Sequence, residues 1–367
     1  MKITLLQVYR YKLPFQFPLT AAGKILTSRE GFIIELISTQ GKSGYGEIAP
    51  FPGLHKENLE AALQQLKTGW PKLKQIDWQN SFSKSEKDFD KGMKELDLSP
   101  SVQFGLELAL FNLMANSTGK PLYKMWKNSA QKTVNLNGLL MGAPAAILIQ
   151  AKRLAEQGYR TIKLKVGGQP VKEDVRPVEN VRTTIGDQIS LRLDANKAWP
   201  LSDAISFGKA AKDYDIEYLE EPLQNPREIP QFKDAATIPI ALDESLCEIS
   251  VQKGNFYKHL NALVIKPSVV GSIERTIELC LWAREKNLIP VLSSTFDSGL
   301  ALSALAQLAS VFTLAETAMG LDTYKWLKED LLVTPFKADA GKVDVDKIAR
   351  NSAALRMEML TPEARFK

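Results

Sequence analysis

Histidine is nearly absent from this 367-residue chain, which has two, His55 and His259. A centre built from several imidazole ligands, or a base assembled as a His–Asp dyad at a strand end, has almost nothing to draw on. Acid–base chemistry then falls to Lys, Asp, Glu or Tyr. Cysteine is equally scarce. Cys247 and Cys280 lack metal-type spacing, and two thiols make no disulfide framework for a chain this long, which points to a reducing compartment. No apolar run reaches the roughly 18 residues of a spanning helix. The opening MKITLLQVYRYKLPF has neither a sustained apolar stretch nor a small-residue cleavage site. The formal charge of +5 is spread along the chain without a dense basic stripe, so neither nucleic acid nor a membrane is expected as a partner. A soluble, cytoplasmic protein is expected. A glycine-rich phosphate loop after a first strand, either G-x-G-x-x-G or Walker type, is also missing, which disfavours a doubly wound nucleotide-binding sheet.

What is present is an alternation. Short apolar segments recur at VNLNGLLMG (134–142), TIKLKVG (161–167), SLRLDAN (190–196), IEYLEEP (216–222), PIALDES (239–245), ALVIKP (262–267), IPVLSST (289–295) and AMGLDT (318–323). Stretches of helical periodicity such as AAILIQAKRLAEQG and SIERTIELCLWAREKN separate them. Eight strands alternating with helices predict an α/β fold with a (β/α)8-type barrel over residues 126–324. The N-terminal part differs. ITLLQVYRYKLPF, GFIIELIST and GKSGYGEIA read as an antiparallel meander, followed by helices in ENLEAALQQLKTGW and SVQFGLELALFNLMANSTG. Residues 1–125 are therefore expected to form an α+β capping domain. Within it, SFSKSEKDFDKGMKELD reads as a solvated helix or linker. Residues 325–367, with strand-like material in LLVTPFKADAGKVDVD, are expected to return to the cap.

Four barrel segments end in charge: Asp194 in RLDAN, Glu220 and Glu221 in YLEEP, Asp243 and Glu244 in LDES, and Lys266 in VIKP. C-terminal strand ends of such a barrel converge on the active site. Any one Asp alone would read as a helix N-cap, and Asp243–Glu244–Ser245 could open a helix. Asp194, Glu220 and Asp243 on three successive strands read as a cluster, and an all-oxygen cluster favours a hard divalent cation such as Mg2+. In TIKLKVGG, Ile162 and Leu164 share one face, which puts Lys163 and Lys165 together on the other. If the apolar pair lies under a helix, both ammonium groups point inward and flank the carboxylates from the second strand, with Lys266 opposite on the sixth.

K-x-K (163–165), D-A-N (194–196), L-E-E-P (219–222), L-D-E-S (242–245) and I-K-P (265–267) together closely resemble the enolase superfamily, in the subgroup that contains muconate lactonizing enzyme. GYGEIAPFPG (44–53) resembles that superfamily's capping domain, so the likeness covers nearly the whole chain. It implies Mg2+ bound by Asp194, Glu220 and Asp243, with Asn196 and Glu244 supporting them. It also implies Lys165 and Lys266 on opposite faces of the substrate as catalytic lysines, with Lys163 beside Lys165 supplying the like charge that favours a neutral amine. The shared chemistry is removal of a proton next to a carboxylate, through an enediolate stabilised by the metal. The absence of a strand-end histidine agrees with this lysine subgroup.

The GEIAPFPG loop, SSTFDSGLALSALAQLA (293–309) and GLDT (320–323) most resemble the o-succinylbenzoate synthases of that subgroup. This implies dehydration of a small anionic carboxylate in menaquinone biosynthesis, with Leu19 and Gly53 of the cap loops and Ser293 and Ser294 contacting substrate. The serine pair would receive an anionic tail at a helix N-terminus, or alternatively serve as plain N-caps. Dipeptide epimerases resemble one another in an Asp-x-Asp at the eighth strand. Here Gly320 stands at the first of those positions, which disfavours a cationic substrate. N-succinylamino acid racemase or a related epimerase is the alternative within the superfamily. A non-catalytic barrel that only binds a ligand is the alternative of another class. It would predict erosion of the cluster, yet every member is present.

Overall fold

A computed structural model of the chain describes residues 1–78, 89 and 92–367. Most of SFSKSEKDFDKGMKELD lies outside them, and the solvated helix or linker expected there is not described. Its described members Phe89 and Met93 are buried.

The chain opens with β1 (Ile3–Ala21), β2 (Lys24–Ser38) and β3 (Ser43–Ile48), followed by α1 (Leu59–Leu73) and α2 (Pro100–Thr118). The β1–β2 connection is two residues, Ala22 and Gly23, both at positive φ (48° and 72°), the geometry that suits the twist of a hairpin. Strand periodicity divides β2 cleanly. Phe32, Ile34 and Leu36 enter the core shared with α2, while Ile33 on the opposite face joins Tyr11, Leu13, Leu300, Leu327 and Leu331. The cap sheet therefore has helices on one side and the barrel end on the other. Gly44, Gly46 and Gly105 let β3 lie backbone to backbone on α2, because a Cβ on Gly46 would overlap the carbonyl oxygen of Gly105.

Short strands β4 (Thr133–Asn135) and β5 (Gly138–Leu140) lead into the barrel. There β5, β6 (Thr161–Lys165), β7 (Ser190–Asp194), β8 (Ile216–Glu220), β9 (Ile240–Leu242), β10 (Ala262–Ile265) and β11 (Ile289–Leu292) form one parallel sheet in chain order. The helices α3 (Pro144–Glu156), α4 (Val171–Ile185), α5 (Leu201–Ala211), α6 (Ile229–Ala235), α7 (Ile273–Glu285) and α8 (Gly299–Phe312) cover it. The eighth position is narrower than the sequence predicts. Met319 and Gly320 close the ring through single bridges to Leu136 and Ser293, with Met319 N donating to Asn135 O at 2.7 Å and Gly320 N to Leu292 O at 2.8 Å. A Cβ at Gly320 would lie against the Ser293 side chain. After β9 the chain makes 3-10 turns at Glu244–Cys247 and Phe256–His259 where alternation predicts an α-helix.

The tail also departs from expectation. KVD of the strand-like stretch becomes β12 (Lys342–Asp344) and pairs with β4 at the start of the barrel. After α9 (Val345–Asn351), the terminal strand β13 (Thr361–Phe366) is the one that pairs with β1 in the cap. Two buried cap carboxylates join cap to barrel at helix N-termini, where amide groups lack partners. Glu107 of α2 accepts from Ile273 N at 2.6 Å, and Glu47 of β3 accepts from Ser298 N at 3.0 Å and Ser298 Oγ at 2.6 Å.

Gly46→Ala is expected to lower unfolding free energy by about 1–3 kcal/mol, the usual cost of overfilling a well-packed contact, as read from urea denaturation. An unchanged midpoint would contradict the close strand–helix approach.

Candidate active site

Register builds the site. Lys165 pairs with Asp194, and Asp194 with Glu220, so three charged side chains stand in one row across β6, β7 and β8. Ile162 and Leu164 are fully buried and Lys163 lies on the carboxylate side, as alternation predicts. Lys163 Nζ donates to both oxygens of Glu220 at 2.7 and 2.8 Å and lies 2.8 Å from Asp194 Oδ2. Lys165 Nζ meets Asp194 Oδ2 at 2.7 Å and also bonds Asn196 Oδ1. From the far side Lys266, just beyond β10, bonds Asp243 Oδ2. The two lysines of β6 differ in setting: the Lys163 side chain is 12% exposed and that of Lys165 is 38% exposed.

Charge at this mouth is held in balance by neighbours. Burial opposes the Lys163 ammonium, but Asp194 and Glu220 outweigh it and hold the group well above its ordinary value. Burial likewise opposes the Asp194 carboxylate, yet Lys163 and Lys165 hold it far below the usual range. Burial and the charge of Asp194 push the Glu220 carboxyl up, against the pull of Lys163. Glu244, next to Asp243, keeps a buried Oε2 with no hydrogen-bond partner. Among the described residues no three carboxylate, histidine or cysteine side chains close on a single point, because the ammonium groups stand between the carboxylates. The donor set fits Mg2+ nonetheless. It is oxygen only, four carboxylates face three ammonium groups, and one carboxylate oxygen lacks a partner.

Glu221 reads in the sequence only as a second strand-end charge, and the structure gives it a task. It sits at a φ of +45° and accepts from Asp243 N at 2.7 Å, Ser245 N at 2.9 Å and Ser245 Oγ at 2.7 Å, thereby holding the segment that carries Asp243. Burial and the nearby Glu244 push its carboxyl up to about 7. Asn196 and Phe296 also have positive φ (44° and 60°), so backbone strain gathers at the mouth. The second Glu of L-E-E-P was the available signal, but its partners lie more than twenty residues away.

A cavity of about 480 Å³ opens above the row, lined by Lys163, Lys165 and Lys266 and walled by Leu19, Phe51 and Gly53 from the cap. Ser293 and Ser294 line it too. Neither is an N-cap: α8 starts at Gly299 and is preceded by Ser298. Nor is that helix end free for an anionic tail, since Glu47 takes Ser298 N and Asp330 takes Gly299 N at 2.8 Å. Ser293 Oγ donates to Gly320 O at 3.3 Å, and Ser294 Oγ shares a 2.6 Å contact with Thr323 Oγ1. Asp322, on the same wall, has its oxygens occupied by Tyr159 OH at 2.6 Å and Lys325 Nζ at 3.2 Å. Burial pushes its carboxyl up to about 6 against the pull of Lys325.

Residues 146–349 match the family described as enolase C-terminal domain-like, and residues 3–113 match the MenC N-terminal domain. The o-succinylbenzoate synthase of Pasteurella multocida is 32% identical, the match covering 86% of this chain and 88% of that protein. Protein PHYLLO of Arabidopsis thaliana is 32% identical over 92% of this chain, which spans only 22% of PHYLLO. Among solved structures, the dipeptide epimerase of Enterococcus faecalis complexed with Mg and the dipeptide L-Leu-L-Tyr superposes with a TM-score of 0.82 at 23% identity, covering 94% of this chain and 97% of that one. That likeness gives the barrel-and-cap fold.

Lys163→Met leaves Glu220 and Asp194 buried side by side. With chelator present, it is expected to destabilise the protein by about 3–5 kcal/mol, the cost of removing one partner of a buried ion pair. Adding Glu220→Gln should restore a large part. Urea denaturation showing no loss in the single variant would contradict the charge balance described.

Proposed function

Because the chain belongs to the enolase superfamily, we propose that it is an o-succinylbenzoate synthase, a Mg2+-dependent hydro-lyase of menaquinone biosynthesis that dehydrates 2-succinyl-6-hydroxy-2,4-cyclohexadiene-1-carboxylate. The observation that carries this is the pair of lysines, Lys165 and Lys266, approaching one carboxylate cluster from opposed strand ends. The near full-length likeness to named o-succinylbenzoate synthases supports the choice of reaction. So does the eighth-strand wall, where Gly320 has no side chain and both oxygens of Asp322 are engaged, leaving no free anion for a substrate ammonium.

In this proposal Asp194, Glu220 and Asp243 hold the ion, and Glu221 fixes the backbone of Asp243. When bound, Mg2+ supplies a Lewis acid that lowers the cost of removing a proton next to the substrate carboxylate. Lys165 is the base that takes that proton on its amine nitrogen. The C–H electrons become part of the new ring double bond as the C–O bond breaks, and Lys165 returns the proton to the departing hydroxyl on the same face, so that water leaves and the ring becomes aromatic. Lys266 stays charged beside Asp243 and steadies the negative charge that builds on the substrate. Lys163 stays charged between Asp194 and Glu220. Leu19, Gly53, Ser293 and Ser294 contact the substrate, while Asn196 orients Lys165. Residues 1–125, joined by the terminal strand β13, act as a cap over the barrel and exclude water. The same reading places the protein in the cytoplasm. Among the described residues no helix is long and apolar enough to cross a membrane.

Lys165→Ala should cut dehydration by about 10²–10⁴-fold, the range a positioned proton-transfer group supplies. Lys266→Arg keeps the charge and should retain measurable turnover. Loss of dehydration in Lys266→Arg as complete as in Lys165→Ala would contradict the purely electrostatic role of Lys266, whereas a racemase activity, which needs proton transfer on each face, should be lost in both variants. Full activity in excess chelator would overturn the role of Mg2+.

A further inference from the structure

His55 takes no part in the reaction above, yet both its ring nitrogens are engaged. Phe51 N donates to Nδ1 at 2.9 Å, and Nε2 lies 3.0 Å from the carbonyl oxygen of Ser268. An amide N–H can only donate and a carbonyl can only accept. The ring is therefore neutral with its proton on Nε2, and no other protonation state satisfies both partners. Ser268 lies two residues beyond Lys266. Its hydroxyl is 3.3 Å from Thr295 Oγ1, and Thr295 donates to Asp297 through its amide at 3.0 Å and its hydroxyl at 2.8 Å. Asp297 faces Arg29 at 3.6 Å, and Arg29 donates to Pro50 O at 3.0 Å and to Ala49 O. The circuit thus returns to the cap loop from which it began. Phe51 stacks on Phe296 at 5.7 Å, and both rings, with Gly53 and Thr295, form the cavity wall.

We propose that His55 is a positioning residue: in its neutral form it pins cap residues 49–55 to the backbone beside Lys266, and so sets the cavity wall against the substrate. The kinetic part of this proposal rests on the dehydration reading. A second proton, on Nδ1, would face the Phe51 N–H donor to donor and release the loop. The charged groups facing the ring are Glu57 from its own segment, Arg29 from β2 and Asp297 from the barrel. Burial holds the imidazole below its ordinary value of 6.5, with the Ser268 bond and Glu57 opposing. Because the folded value is depressed, the pin is complete above the ordinary value and is lost as pH falls through the depressed one.

Hydrogen exchange of the peptide covering 49–55, followed in the full chain from about pH 8 to about pH 5 across the histidine range, needs no substrate. After correction for intrinsic rates, wild-type protection should fall about tenfold with acid, as losing hydrogen bonds of ordinary strength implies. In His55→Phe it should be low at every pH, and His55→Gln, whose amide nitrogen can still donate to Ser268 O, should recover part of it. With the cyclohexadiene substrate, His55→Phe should raise KM about tenfold while kcat stays within about threefold, at an unchanged melting midpoint. Identical protection in wild type and His55→Phe at all pH values overturns the proposal, as does a fall of kcat and melting midpoint together. A wild-type chain with acid-sensitive protection but no dehydration supports the pin and refutes the dehydration reading alone.

Discussion

Four carboxylates and three ammonium groups share one end of a barrel, and strand register brings them together. Lys165, Asp194 and Glu220 are lateral neighbours on β6, β7 and β8, so the spacing of a parallel sheet sets their side chains in one row, with Lys165 bonded to Asp194. Buried charge of one sign would be ruinous there, and buried charge of both signs holds only with close contacts. Lys163 supplies those contacts at the centre by touching both Asp194 and Glu220. The excess of carboxylate over ammonium suits the mouth to a hard cation.

Such a mouth is chemically useful only when covered, and the cover is set in place by the same physics. Glu107 and Glu47, both buried on the cap, accept from the amides that open α7 and α8. Each contact supplies a negative partner to the positive end of a helix dipole. β13 ties the chain's last residues into the same sheet as β1, joining both ends of the sequence in one layer over the barrel. Leu19 near the end of β1 and Gly53 in the segment after β3 therefore reach the cavity from a layer anchored at several points.

Much of this could be read in the residues. Alternating apolar segments located every barrel strand, charges at their C-terminal ends located Asp194, Glu220, Asp243 and Lys266, and the alternation of TIKLKVGG located Lys163 and Lys165, because period two and the direction of a parallel strand are local properties. What escaped depends on partners distant in sequence. Glu221 looks like a second strand-end charge until the amides of residues 243 and 245 are seen against it. The N-terminus of α8 looked open to a substrate tail, because nothing near Ser298 announces that Glu47 fills it from 251 residues away. TPEARF carries a proline and no apolar alternation, so its edge pairing with β1 left no mark. The eighth strand was foreseen in place but not in length, since closure by Met319 and Gly320 needs only two residues.

The most direct test of the central claim, that this balanced mouth serves dehydration of an anionic cyclohexadiene, is a comparison of kcat/KM in the wild-type chain with Mg2+. The dehydration substrate is measured beside N-succinylamino acids in D₂O, following both loss of the diene and α-proton exchange. The account predicts that dehydration is much the faster. Exchange and racemization of an N-succinylamino acid far faster than dehydration would contradict it.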